Sequence, residues 1–206
     1  MNKRVGILSF LAAFSTVVLA STASAQAPEF TRLQRVEYRG SACPAGTATI
    51  DIVDGKTAFL VTYDVFQAQV GPGIPLTESS KFCNLLLDVE YPKGWTFTVA
   101  NIAYRGNATL QRGVSARFRA RYNFPGERSI SDDVTLRGPM LADFELDNPL
   151  RMFSWAPCTG RATLIATGTA QLLSRNPDST GLVTTEQTDG KFKTKLNLRW
   201  RRCSGR

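Results

Sequence analysis

A run of alternating basic residues near the end of the chain is the most distinctive chemical pattern in this sequence. Its members are Lys191, Lys193, Lys195, Arg199 and Arg201. Because successive side chains of a β-strand point to opposite faces, the spacing predicts a strand with one basic and one apolar face. A shorter ladder consists of Arg117, Arg119 and Arg121. If the two strands are neighbours, they form one positive sheet face for phosphate, sulfate or uronate groups. The alternative is a solvated strand whose lysines prevent edge pairing.

Carboxylates are the remaining candidates for acid–base chemistry. The chain has no histidine, which excludes Ser-His-Asp and Cys-His catalysis and His-ligated zinc. Asp88 and Glu90 lie two residues apart, as do Asp143 and Glu145. Such pairs can support glycoside hydrolysis when a second strand contributes across a cleft. Solubility alone also places carboxylates on the polar face of a strand, so we assign no catalytic residue.

The four cysteines are predicted to form two disulfides. They are Cys43, Cys83, Cys158 and Cys203. No C-x-x-C spacing occurs, which argues against a metal or redox site. An even count in an exported chain favours disulfides, and three pairings are possible. We favour Cys43 with Cys83 and Cys158 with Cys203, because these pairs close the shortest loops. Neither a metal nor a cofactor is expected.

The three tryptophans are candidates for stacking on sugar rings. Trp200 falls on the apolar face of the basic strand, and Trp95 lies in phase with Phe97. Both positions predict burial in the core. Trp155 lies in a loop-like stretch and is the candidate for exposure.

The start of the chain predicts export. Residues 1–25 combine a basic start, an apolar run and a small-residue cleavage site, as in a signal peptide. The mature chain then covers residues 26–206, and no later segment is long and apolar enough to span a membrane. We therefore expect a secreted protein, or a periplasmic one in a Gram-negative host. A formal net charge of +8 is compatible with anionic partners, although no specific nucleic acid is expected.

The elements that must position these residues are strands. Apolar residues after the signal segment recur with period two, and turn residues such as Asp189-Gly190 separate the runs. The pattern predicts an all-β fold of about eight to ten strands. We expect a single domain over residues 26–206. Its architecture is an antiparallel two-sheet β-sandwich, jelly-roll-like or immunoglobulin-like.

Several ordered motifs resemble a known family of secreted proteins. They include Ala42-Cys43-Pro44-Ala45-Gly46, Tyr91-Pro92-Lys93-Gly94-Trp95, Ser154-Trp155-Ala156-Pro157-Cys158 and Trp200-Arg201-Arg202-Cys203. These motifs resemble the family catalogued as domain of unknown function 4360, and the resemblance extends from about Tyr38 to Cys203. It implies a small exported protein with four cysteines, and it supplies no catalytic residue. The basic ladder departs from the more neutral strand of the fungal members.

The sequence predicts a non-enzymatic extracellular or cell-surface binding module. Its expected ligand is an anionic polysaccharide or cell-surface glycan, bound by the two basic ladders. A carboxylate-based glycosidase or lyase is the first alternative. A secreted factor acting on a host or competitor is the second. The oligomeric state is left open.

Overall fold

The computed structural model describes residues 27–184 and 190–204. The predicted signal peptide, residues 1–25, and Asp189 of the predicted hairpin turn lie outside the described residues. Within these residues, no helix is long and apolar enough to cross a membrane.

Twelve strands form the described part of the chain. They are β1 (Arg32–Arg39), β2 (Ala48–Val53), β3 (Ala58–Tyr63), β4 (Gln67–Val70), β5 (Ser80–Glu90), β6 (Trp95–Leu110), β7 (Val114–Asn123), β8 (Ile130–Arg137), β9 (Met140–Pro149), β10 (Arg161–Ser174), β11 (Gly181–Thr184) and β12 (Phe192–Arg202). Short 3-10 turns occupy Asp54–Lys56 and Leu76–Ser79.

The strands form two antiparallel sheets. The five-stranded sheet has the order β1-β5-β10-β7-β8. The seven-stranded sheet has the order β2-β3-β12-β6-β11-β4, and β9 also pairs with β6. The predicted all-β, two-sheet architecture is confirmed, with two more strands than the upper end of the expected range.

Aromatic side chains fill the space between the sheets. Phe97 and Trp200 are cross-strand neighbours on β6 and β12, with ring centroids 4.8 Å apart. Tyr91 packs edge-on against both rings, 5.4 Å from Phe97 and 5.6 Å from Trp200. The Trp200 indole N–H donates to the Lys56 carbonyl over 2.9 Å. The predicted burial of Trp95 and Trp200 is confirmed, because period two assigned their strand faces correctly.

Two disulfides connect segments that are distant in sequence. Cys43 pairs with Cys83 at a Cα–Cα distance of 5.5 Å. Cys158 pairs with Cys203 at 6.2 Å. The favoured pairing is confirmed. The second bond joins the segment between β9 and β10 to the end of β12.

Candidate functional site

The basic ladder occupies the outer face of β12. Alternate residues of this strand, from Phe192 to Trp200, are buried against the opposite sheet, whereas Arg199 and Arg201 are exposed. The lysines and arginines share the outer face of the seven-stranded sheet, as the alternation predicted. Their surroundings divide the ladder into two unlike halves.

The lysine half lies among carboxylates. Lys191 Nζ lies 2.5 Å from Asp64 Oδ1, and Lys195 forms an ion pair with Asp54. The β12–β6 register places Lys193 opposite Arg105, whose Nε lies 3.8 Å from Glu145 Oε2 on β9. The charged side chains around Lys193 and Lys195 surround a shallow recess of about 310 Å³, lined by Asp54, Arg105, Glu145, Lys193 and Lys195. Opposite charges therefore offset one another on this half of the face.

The arginine half lies against two aromatic rings. The Arg201 guanidinium carbon is 3.7 Å from the centroid of the Trp155 ring. The Arg199 guanidinium carbon is 5.0 Å from the centroid of the Phe153 ring. In the described part of the chain, neither arginine makes an ion pair with a carboxylate. We call these four residues the arginine–aromatic strip.

The segment that carries the two rings is fixed to the edge of β6. The Ala156 amide donates to the Phe97 carbonyl over 2.8 Å. Buried Thr96 donates through Oγ1 to the Ala156 carbonyl over 2.5 Å, and buried Thr98 donates to the Ser154 carbonyl over 2.6 Å. Ser154 and Ala156 are buried, so the intervening Trp155 is held on the outside, half-buried under Arg201.

Tyr122 ties this segment to the five-stranded sheet. Its hydroxyl donates to the Val99 carbonyl over 3.1 Å and accepts from the Ser154 amide over 3.3 Å. It also lies 2.9 Å from Thr98 Oγ1. Burial raises the pKa of Tyr122, which keeps the hydroxyl protonated and able to donate. One buried hydroxyl thus connects β7, β6 and the segment that carries Trp155.

The strip is suited to bind anions. A guanidinium above an aromatic ring gains a cation–π attraction and keeps its N–H donors at its edge. Those donors match the paired oxygens of a carboxylate, sulfate or phosphate group. Arg201 covers one face of the Trp155 ring, so that face is not open to a sugar ring. The available chemistry is therefore that of the guanidinium.

The second basic ladder lies on the opposite side of the molecule. Arg117, Arg119 and Arg121 are on the outer face of β7, which belongs to the five-stranded sheet. Because β7 and β12 belong to different sheets, the condition for one continuous positive patch is not met. Arg117 Nε lies 3.0 Å from Asp133 Oδ2 on the neighbouring strand β8. Arg119 and Arg121 are exposed.

The Asp88–Glu90 pair lies on β5 in the five-stranded sheet. Asp88 accepts from Thr163 Oγ1 over 2.6 Å and from Arg35 Nε over 2.8 Å. The Thr163 hydrogen bond, followed by Arg35, lowers the pKa of Asp88. Glu90 accepts from Gln34 Nε2 over 2.5 Å. A low pKa suits an ionised, structural carboxylate rather than a proton donor.

The Asp143–Glu145 pair lies on β9 in the other sheet. Asp143 Oδ1 accepts from Asn107 Nδ2 over 2.9 Å, and Glu145 faces Arg105. The buried Asn107 side chain is enclosed rather than presented to solvent. The two carboxylate pairs belong to different sheets and do not share one cleft.

The sequence predicted an exposed Trp155, whereas the structure leaves it half-buried under Arg201. Sequence reasoning missed Phe153, Thr96, Thr98 and Tyr122. The alternation of outward Phe153 and Trp155 with buried Ser154 and Ala156 is a short period-two signal that predicts an extended segment. No local signal indicates that Thr98 and Tyr122 meet, because that contact depends on the packing of the two sheets.

The family relationship follows from a comparison over almost the whole described chain. The family model described as "Domain of unknown function (DUF4360)" matches residues 30–203. The chain belongs to the DUF4360 family. An "Uncharacterized secreted protein" of Arthroderma benhamiae is 31% identical over 180 residues, covering 86% of this chain and 74% of the relative. The DUF4360 protein is thus a secreted protein with two disulfides.

Two solved carbohydrate-binding modules show a weak likeness to the DUF4360 protein. TmCBM61, solved with β-1,4-galactotriose, has a TM-score of 0.29 and 12% identity, covering 82% of this chain and 90% of that module. A family 11 module from Clostridium thermocellum, solved with a β-1,3-1,4-mixed-linked tetrasaccharide, has a TM-score of 0.22 and 12% identity, covering 80% and 85%. Likenesses this weak carry no argument about the ligand.

Proposed function

We propose that this protein is an extracellular binding module for anionic polysaccharide, with the basic ladder of β12 as its contact surface. The observation that carries the proposal is the pair of stacked arginines without carboxylate partners in the described chain. Arg199 and Arg201 are exposed, lie over Phe153 and Trp155, and sit beside each other on one strand face. Sulfate and carboxylate groups on a polymer are the complementary chemistry.

The lysine and arginine halves of the ladder differ in their carboxylate partners, and this difference favours the arginine half as the stronger contact with the polymer. Lys191 and Lys195 already pair with Asp64 and Asp54, so an incoming anion must compete with those carboxylates. An anion that binds Arg199 or Arg201 has no such carboxylate competitor in the described chain. Stacking also limits the rotamers of their long side chains before a ligand arrives, which lowers the entropy lost on binding.

The positions of the carboxylates and the lowered pKa of Asp88 favour polysaccharide binding over glycoside hydrolysis as the role of this protein. A glycosidase needs two carboxyl groups flanking one bond, one of them with a raised pKa. Asp88 has a lowered pKa, and its pair lies in a different sheet from Asp143 and Glu145. The arginine–aromatic strip itself contains no carboxylate.

The test is binding of the mature protein to heparin, which carries sulfate and carboxylate, and to polygalacturonate, which carries carboxylate alone. We expect Arg199→Gln with Arg201→Gln to weaken binding about a hundredfold, since each charged hydrogen-bonding contact contributes about 1.4 kcal/mol. Binding should also fall steeply from low to physiological salt, because exposed charges are screened over about 8 Å at 0.15 M. A preference between the two polymers identifies the recognised anion.

The matched control removes the same charge from the lysine half of the basic ladder. Lys191→Gln with Lys195→Gln also deletes two cations, but both are paired with carboxylates, so we expect a much smaller loss. A neutral glucan should show no binding by any variant. Equal retention of the wild type and the arginine variant on heparin would refute the proposal, provided that both have the same thermal midpoint.

A further inference from the structure

A second set of arginines without ion pairs in the described chain lies on the outer face of the five-stranded sheet, opposite the arginine–aromatic strip. Arg119 and Arg121 on β7 and Arg39 on β1 are exposed, and in the described residues none of them forms an ion pair. Asp133 lies opposite Arg119 in the β7–β8 register, but its carboxylate pairs with Arg117, whose Nε is 3.0 Å from Asp133 Oδ2. We call Arg39, Arg119 and Arg121 the opposite arginine patch.

The strand register places these arginines in rows across the five-stranded sheet. In the strand register, Arg39 lies opposite Asn84, Asn84 lies opposite Thr167, and Thr167 lies opposite Arg121. Neighbouring strands lie about 4.8 Å apart, so this row spans about 14 Å. Asn84 Oδ1 accepts from Thr167 Oγ1 over 2.8 Å, which leaves the amide N–H₂ of Asn84 as a donor between the two arginines.

An exposed aromatic ring lies in the adjacent row. Phe82 is 43% exposed. The strand register places Phe82, Thr169 and Arg119 in one row across β5, β10 and β7. Phe82 and Arg119 are two strands apart, about 10 Å. The patch therefore combines cations, an amide donor and an apolar ring on one sheet face. The strip on the other sheet offers a similar combination of cations and rings.

The two basic surfaces cannot serve the same stretch of polymer. They lie on the outer faces of two sheets that pack about 10 Å apart, and their side chains extend in opposite directions. A polysaccharide lying along β12 runs on one face, and the opposite patch is left for another chain. Two surfaces on one compact body produce a bivalent binder.

We infer that the protein cross-links anionic polysaccharide by holding one chain on the arginine–aromatic strip and a second chain on the opposite arginine patch. The inference rests on the proposed function of the strip. Charge complementarity identifies the occupant of the patch, because its exposed side chains are cationic and lack carboxylate partners in the described chain. The ligand of the second site is thus the same class of sulfated or uronate-bearing polymer.

The test is a capture experiment with two heparin populations. Protein is first bound to heparin-coated beads, and soluble fluorescent heparin is then added. We expect wild-type protein to capture the soluble chains. Arg119→Gln with Arg121→Gln should remain on the beads through the strip and lose capture at least about tenfold, the effect of one lost charged contact. Sedimentation of each variant excludes bridging by a protein dimer.

A matched control changes two paired arginines on the same outer face. Arg35 and Arg161 lie near Asp88 and Glu90, so Arg35→Gln with Arg161→Gln should capture soluble heparin like the wild type. Unchanged capture by Arg119→Gln with Arg121→Gln would overturn the cross-linking inference and leave the proposed function intact. Failure of the wild type to stay on the beads would instead refute the proposed function, and the inference with it.

Discussion

Removal of the Tyr122 hydroxyl tests how the arginine–aromatic strip is held. Tyr122→Phe deletes the acceptor of the Ser154 amide at 3.3 Å, the donor to the Val99 carbonyl at 3.1 Å and the 2.9 Å contact with Thr98. Thr98 retains the Ser154 carbonyl as its acceptor. The two backbone groups lose a partner in a buried site, at a cost of about 1–3 kcal/mol for each group that remains unsatisfied.

The expected loss of stability is about 2 kcal/mol, because one of the two backbone contacts is long and therefore weak. For a chain of this size, that loss lowers the thermal midpoint by about 4–8 °C. Urea unfolding followed by tryptophan fluorescence gives the free energy directly. The slope of the unfolding free energy against urea should stay constant, since the variant changes no large surface.

Tyr104 provides the matched control for this substitution. It is also buried between the sheets, and its hydroxyl has no hydrogen-bond partner among the described residues. Tyr104→Phe removes the same atom without leaving a partner unsatisfied, so we expect a change within about 0.5 kcal/mol or a slight stabilisation. Equal destabilisation by the two variants would show that the Tyr122 contacts do not fix the segment.

Two further substitutions test the core and the carboxylates. Trp200→Ala should destabilise the fold by about 3–5 kcal/mol. The substitution empties the space beside Phe97 and leaves the Lys56 carbonyl without its indole donor. An unchanged urea midpoint would contradict this packing. Because the folded pKa of Asp88 is lowered, its stabilisation is present above the unfolded pKa of about 3.9 and is lost as the pH falls through the lower folded value. The stability difference between wild type and Asp88→Asn should therefore shrink in urea titrations below about pH 4, and a difference that grows there would contradict the assigned shift.

The strands that could be predicted from sequence are those with one apolar face. Along β12, alternate buried residues identified the inward Trp200 and the outward lysines and arginines. The strands β1 and β8 are the two edges of the five-stranded sheet and have a weaker sequence signal. An edge strand buries less of each side chain, so its apolar alternation is weaker. A turn around Gly113 separates β6 from β7.

The sequence predicted which basic residues form the candidate site, but not which side chains contact them. Period two placed the cations of β12 on one face, but it gave no indication that Asp54 and Asp64 pair with Lys195 and Lys191. Those contacts depend on which strands become neighbours. The same holds for Arg199 over Phe153, because that contact depends on the strand and the segment that carry them both lying beside β6.

The disulfide between Cys158 and Cys203 explains how two distant segments build one surface. Cys158 follows Trp155 in the segment beside β6, and Cys203 follows Arg201 at the end of β12. The bond therefore joins the element that supplies the ring to the element that supplies the guanidinium, close to their 3.7 Å contact. An exposed arginine loses side-chain entropy when it binds an anion, and a ring held in place reduces that loss by ordering the guanidinium beforehand. The Thr96 and Thr98 hydrogen bonds fix the backbone on either side of Trp155, so covalent and hydrogen-bonded constraints act on the same pair.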